Sequence, residues 1–244
     1  MNETLKAHPP ADLDRQVNRA AFYSAAVLLV ATVPSLLLPL DAPQGPVADR
    51  LIWFSSNLGA FVAGWIVQMI LMLTLTGVFA GAAWQLRRSH PLRAFVAGTA
   101  LFISLVAFII PKFIAIWSIP QMVSESARVS SHSGVSEQLF QLLNPSLAFS
   151  LFTSFDYLGF WMYAVFGLLV ARPLFRLTQS AKIAAVALGV YGLLYHLLFV
   201  GVLTRNVAQA DIGAYSTSIG ALLLVAVISL AIRFRNAMAS EDGR

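Results

Sequence analysis

Six stretches of this 244-residue chain are each long and apolar enough to cross the ~30 Å hydrocarbon core of a bilayer, which takes about 20 residues of helix. That recurrence limits the fold more than any other feature. In lipid a backbone must satisfy its own hydrogen bonds, and segments of this length do so as helices. The sequence therefore reads as all-α: a polytopic membrane helical bundle of six transmembrane helices. Only 11% of residues are charged and 58% are apolar, whereas a soluble domain is about a quarter charged.

The spans fall at 21–40, 60–84, 94–118, 150–171, 183–203 and 212–232. They divide the chain into a cytoplasmic N-terminal segment (1–20), a membrane domain (21–233) and a cytoplasmic tail (234–244). The apolar region from Leu51 to Leu86 exceeds one straight crossing, so Leu51–Asn57 is assigned to the interface, with Trp53 and Phe54 at headgroup level. Gly77 and Gly81 form a GxxxG pair, a small-residue surface for close helix packing. Pro34 and Pro111 each remove a helix hydrogen bond, and Pro111 frees the carbonyl of Ala107 beside Lys112. Residues 119–144 form the longest connection. Within it Gly134–Leu143 is expected as an interfacial helix, with Val135, Leu139, Leu142 and Leu143 on one face behind a Ser136 cap.

The net charge of +5 resides in short basic clusters that flank the spans, which is topology and not a nucleic-acid surface. Twelve of the sixteen Lys and Arg residues belong to the two termini and the loops after spans 2 and 4. Arg50, Arg128 and Arg205 are on the other side, and Lys112 lies within span 3. By the positive-inside rule both termini are cytoplasmic, N-in and C-in, in the cytoplasmic (inner) membrane. The N-terminus has no short apolar segment with a small-residue cleavage site, so span 1 is expected to act as an uncleaved anchor.

With this topology, Lys112 of span 3, Asp156 of span 4 and His196 of span 5 all fall about 9–11 Å below the outer surface at 1.5 Å per residue. Gln68 of span 2 is at a similar depth, and Tyr215, Ser216 and Ser218 of span 6 are slightly shallower. On span 4, Thr153, Asp156, Gly159 and Tyr163 make one polar and small-residue stripe. On span 5, Gly189, Gly192 and His196 share a face, beside Tyr191 and Tyr195. A carboxylate in the membrane costs about 2.5–3.5 kcal/mol on insertion scales and is normally paired or functional. Asp156 and Lys112 are therefore expected to pair, with His196 on the same cavity wall. The candidate ligand-binding residues are Asp156, Lys112, His196, Gln68, Tyr163 and Tyr195. The alternatives are a purely structural Asp156–Lys112 pair, a Lys112 that snorkels to the interface, and a His196 that is hydrogen-bonded in the interior.

The chain has no cysteine, and one His with one Asp is too few for a zinc site. His8, His90 and His132 lie outside the spans, leaving no second histidine for a transmembrane haem. No GxSxG, HExxH or Walker motif occurs. No cofactor is specified and no residue is assigned as catalytic.

Span 4 reads Asp156, Tyr157, Gly159, then FGLLV from Phe166, followed by Arg172 and Pro173. In these residues, and in outline over most of its length, the chain resembles the six-span bacterial membrane proteins grouped as domain of unknown function 4386. The resemblance implies the six-span architecture and carries no activity with it.

Three functions fit these features. The first is binding or transport of a small amphipathic molecule, lipid or proton through a polar cavity in the outer third, with membrane lipid as a partner and nucleic acid excluded. The second is a structural or accessory role among partner membrane subunits. The third is a quinone- or lipid-linked intramembrane enzyme with His196 and Asp156 as acid and base. The absence of an evident repeat between the two halves weighs against a secondary transporter.

Overall fold

The computed structural model describes residues 10–43, 45–128, 142–144, 147 and 149–242, all in helices, turns and connecting segments without strands. The helices are α1 (Pro10–Ser35), α2 (Val47–Leu86), α3 (Pro91–Phe113), α4 (Ile119–Arg128), α5 (Leu151–Phe175), α6 (Gln179–Leu203) and α7 (Ile212–Asp242). A π-helical segment, Ile114–Ser118, joins α3 to α4. Six helices are long and apolar enough to cross a membrane, α3 and α4 counting as one. The expected interfacial helix at Gly134–Leu143 lies almost wholly outside the described residues.

Consecutive spans pack against one another in a ring, α1–α2–α3–α5–α6–α7, which α7 closes against α1. Short connections explain the antiparallel order. Thr178 accepts a hydrogen bond from the Ala181 amide to start α6, and Ser150 accepts one from Thr153 at 3.1 Å to start α5. Small residues let helix backbones approach closely. The GxxxG pair illustrates this: a Cβ at Gly81 would collide with the Cβ of Ala21, and one at Gly77 would stand 2.7 Å from Ser24 Oγ. These two glycines let α1 lie directly on α2. Farther in, Phe79 stacks on Phe166 at 5.0 Å and meets Tyr163 edge-on at 5.3 Å.

Three boundaries differ from the sequence reading. α1 occupies 10–35 and not 21–40, because the chain turns after Pro34 and Leu36–Leu40 fold back onto α2. There the Leu40 carbonyl accepts a bond from Trp65 Nε1 at 3.0 Å, and Gly64 admits the close approach of the Pro39 carbonyl. α2 is a single 40-residue helix, so the expected break near Asn57 does not occur. At about 60 Å it far exceeds the 25-residue α5 and α6. The first part of the 119–144 connection is helical as α4. The two long elements support each other: Phe54 and Phe61 of α2 are buried with Ile119 and Val123 of α4, Phe152 of α5 and Trp65 in a second apolar cluster, separate from the main core. The π segment begins three residues after Pro111. Its wider turn holds an extra residue and rotates α4 by about 100°, which brings Ile119 and Val123 onto α2.

The two ends of the bundle differ in chemistry. At one end Asp14 binds Arg87, Arg88 (2.9 Å) and Trp84 Nε1 (2.8 Å), while Gln85 links Asn18 of α1 to Arg233 of α7. Arg172, Arg176 and Lys182 flank the α5–α6 turn, which the Arg233 bond to Thr178 ties to the same end. At the other end Arg50, only 5% exposed, binds Asp41 at 2.7 Å and Asn144 at 3.1 Å.

Candidate functional site

The polar residues of α5 divide between two faces. Residues 153, 156, 159 and 163 form the stripe expected from the sequence; 154, 157, 158 and 161 lie roughly opposite at 100° per residue. The first face packs on α3 and the second opens toward α6 and α7.

On the α3 face, Lys112 and Asp156 form a direct ion pair. Lys112 is sealed, with 3% of its surface exposed, and its ammonium also lies over the rings of Phe108 (4.9 Å) and Trp65 (5.8 Å). Such cation–π contacts add roughly 0.5–2 kcal/mol each. Phe108 belongs to the main core and Trp65 to the second cluster, so the ion pair sits at the junction of the two. One turn deeper, Gly159 leaves room for the Phe108 ring, which a Cβ would approach to 2.7 Å, and its carbonyl accepts a bond from Ser104 at 2.8 Å. Tyr163 is fully buried, with its hydroxyl 2.7 Å from Thr76 Oγ1. Every polar group on this face except Thr153 is bonded across a helix interface; Thr153 bonds locally to Leu147 and Ser150.

On the other face, a groove of about 330 Å³ runs between α5, α6 and α7 at the end of the bundle away from the Arg87–Asp14 cluster. Its walls are apolar, formed by Leu158, Leu198, Phe199, Val202 and Ile212 among others. Five side chains with polar atoms face it: Ser154, Tyr157, Trp161, Tyr195 and Ser216. The Trp161 ring stacks on Phe199 at 5.0 Å. Two polar atoms here, Trp161 Nε1 and Ser216 Oγ, are buried without a hydrogen-bond partner among the described residues. Neighbouring Thr217 and Ser218 bond the carbonyls of Gly213 and Ala214 at 2.9 Å, so Ser216 stands apart from its own helix.

The structure thus brings Lys112, Asp156 and Tyr163 onto one helix interface and places Tyr195 on the groove. Tyr195 is also within electrostatic reach of Asp156 and Tyr157. His196 is in neither site: its Nδ1 lies 2.7 Å from the Gly192 carbonyl of its own helix, and its ring meets the edge of Trp161 at 6.2 Å. It is therefore not joined to Asp156 as an acid–base pair. Gln68 is half-buried on α2 and bonds none of the described residues. Among the described residues no three acidic or histidine side chains converge on a possible metal position.

Sequence reasoning passes over Tyr157 and Trp161 as site residues. The signal is present in the spacing Ser154, Tyr157, Trp161, three and four apart, a second stripe that the adjacent aspartate overshadows. Compared with protein-family models, curated proteins and solved structures, the chain shows no match.

Proposed function

We propose that this protein is an integral protein of the bacterial cytoplasmic membrane that binds a small amphipathic molecule in the α5–α6–α7 groove. Both termini are cytoplasmic and the groove lies in the outer half. The observation that carries the binding reading is the pair of buried polar atoms without a partner among the described residues, Trp161 Nε1 and Ser216 Oγ, in a groove of about 330 Å³ whose walls are mainly apolar. An unsatisfied buried polar group costs about 1–3 kcal/mol. A ligand that bonds both would remove that cost. The indole N–H only donates, so the ligand presents an acceptor, and the walls favour a chain or ring of carbon. A carbonyl on an apolar body, as in a lipid ester or a quinone, meets both demands.

The test is equilibrium binding to the purified full chain of two probes, a short-chain diacylglycerol and decylubiquinone. Binding of either supports the reading and identifies the source of the carbonyl. Trp161→Phe should weaken that binding about threefold to tenfold, the worth of one hydrogen bond. Binding of neither probe, or equal affinity in the variant, overturns it. Orientation has its own test, made clean by the absence of native cysteine. Asn206→Cys should react with an impermeant maleimide on intact cells, and Ser89→Cys only after permeabilisation. The opposite pattern inverts the topology.

The Lys112–Asp156 pair has the attributes of a packing device. It joins α3 to α5 at the junction of two apolar clusters, with Lys112 sealed and Asp156 partly exposed. Such a pair fixes register between helices without turnover.

A further inference from the structure

A second groove, of about 430 Å³, opens on the α6–α7 seam at the opposite end from the first. Its α6 wall is Ile183, Val186 and Val190, spaced three and four, which places them on one helical face. Its α7 wall is Leu222 and Val225, and Phe175 closes one side. From Lys182 to Val190 the α6 wall descends about 12 Å at 1.5 Å per residue. Lys182 stands at the upper end, exposed, with its ammonium 6.0 Å from the centre of the Phe175 ring.

The charged side chains of the α5–α6 turn beside this mouth are all basic. Lys182, Arg172 and Arg176 form no ion pair among the described residues. Arg233 approaches from α7, where it bonds the neutral Gln85 and Thr178. The acids that α1 contributes to this end are Asp12 and Asp14, and Asp14 is occupied by Arg87 and Arg88. An apolar trough therefore ends in a cation with no ion-pair partner among the described residues.

We infer that this groove is a site for an anionic phospholipid, with one acyl chain along Ile183, Val186, Val190, Leu222 and Val225 and the phosphate on Lys182. Charge complementarity selects the occupant. A zwitterionic lipid fills the same trough but brings a second cation into a field that is already positive. The outer groove, by contrast, holds no charge and makes no such selection.

The site is tested by native mass spectrometry of the full chain released from detergent with phosphatidylglycerol or phosphatidylcholine of equal chain length. The wild type should retain one phosphatidylglycerol in preference to phosphatidylcholine. Lys182→Gln should lower that retention about fivefold, the contribution of one basic residue near a lipid phosphate, while Lys182→Arg should keep it. Val186→Trp, which fills the trough, should abolish retention of both lipids at this position. Thermal stability of each variant in the same detergent establishes that it is folded. Unchanged phosphatidylglycerol retention in Lys182→Gln, or equal retention of the two lipids by the wild type, overturns the inference.

Discussion

The two faces of α5 carry comparable numbers of polar groups, yet they do opposite things with them. Toward α3, Asp156 pairs with Lys112 and the Gly159 carbonyl accepts from Ser104, and toward α2 Tyr163 bonds Thr76, so each of these groups has a partner on a neighbouring helix. Toward α6 and α7, Trp161 and Ser216 keep buried polar atoms without partners among the described residues, beside open volume. Polar groups on an apolar helix can be satisfied within the bundle or left open, and the charge that is most conspicuous in the sequence is here satisfied across a helix interface. The less conspicuous face, with neutral donors and aromatic rings, is the one that borders open volume.

The comparison is broken or sharpened first at Asp156. Asp156→Asn leaves a sealed Lys112 without its counter-charge and should destabilise the protein by about 3 kcal/mol. The double variant Lys112→Met with Asp156→Leu should recover most of that loss. Unfolding in detergent measures both, and a single variant as stable as the wild type would show that the pair does not hold the α3 face.

Gly159→Ala, on the same face, drives a methyl into the Phe108 ring and should cost about 1–3 kcal/mol, the usual range for overpacking. Tyr163→Phe removes one buried hydrogen bond to Thr76 and should cost about 1 kcal/mol. The groove face should respond in the opposite manner. Ser216→Ala deletes a hydroxyl that bonds none of the described residues, so its stability should stay within about 0.5 kcal/mol of the wild type, or rise, while binding of the carbonyl probes falls. A Ser216→Ala variant that loses stability as much as Tyr163→Phe would make the two faces alike.

Much of this arrangement is legible in the residues. The stripe Thr153, Asp156, Gly159 and Tyr163 comes from a 3.6-residue period, and the matched depth of Lys112 and Asp156 comes from counting residues along adjacent spans. Two further facts are beyond that reach. A helical period gives the angle between His196 and Asp156 on their own helices but not the rotation of α6 against α5, and that rotation sends His196 to Trp161 instead of to the ion pair. The length of α2 escapes hydropathy for a related reason: bilayer thickness sets where a span can end, whereas α2 continues because α4 is there to cover Phe54 and Phe61.

The sequence by itself determined that the chain forms six apolar helices and which residues share each helical face, because backbone hydrogen bonding and residue period are local properties. Only the tertiary structure decided which faces meet. Contact between helices in an apolar medium depends on the fit of particular side chains, Phe108 over Gly159 or Ala21 against Gly81, and on where that fit fails. The α5–α6–α7 groove is such a failure of fit, a property of three helices together that none of their sequences holds alone.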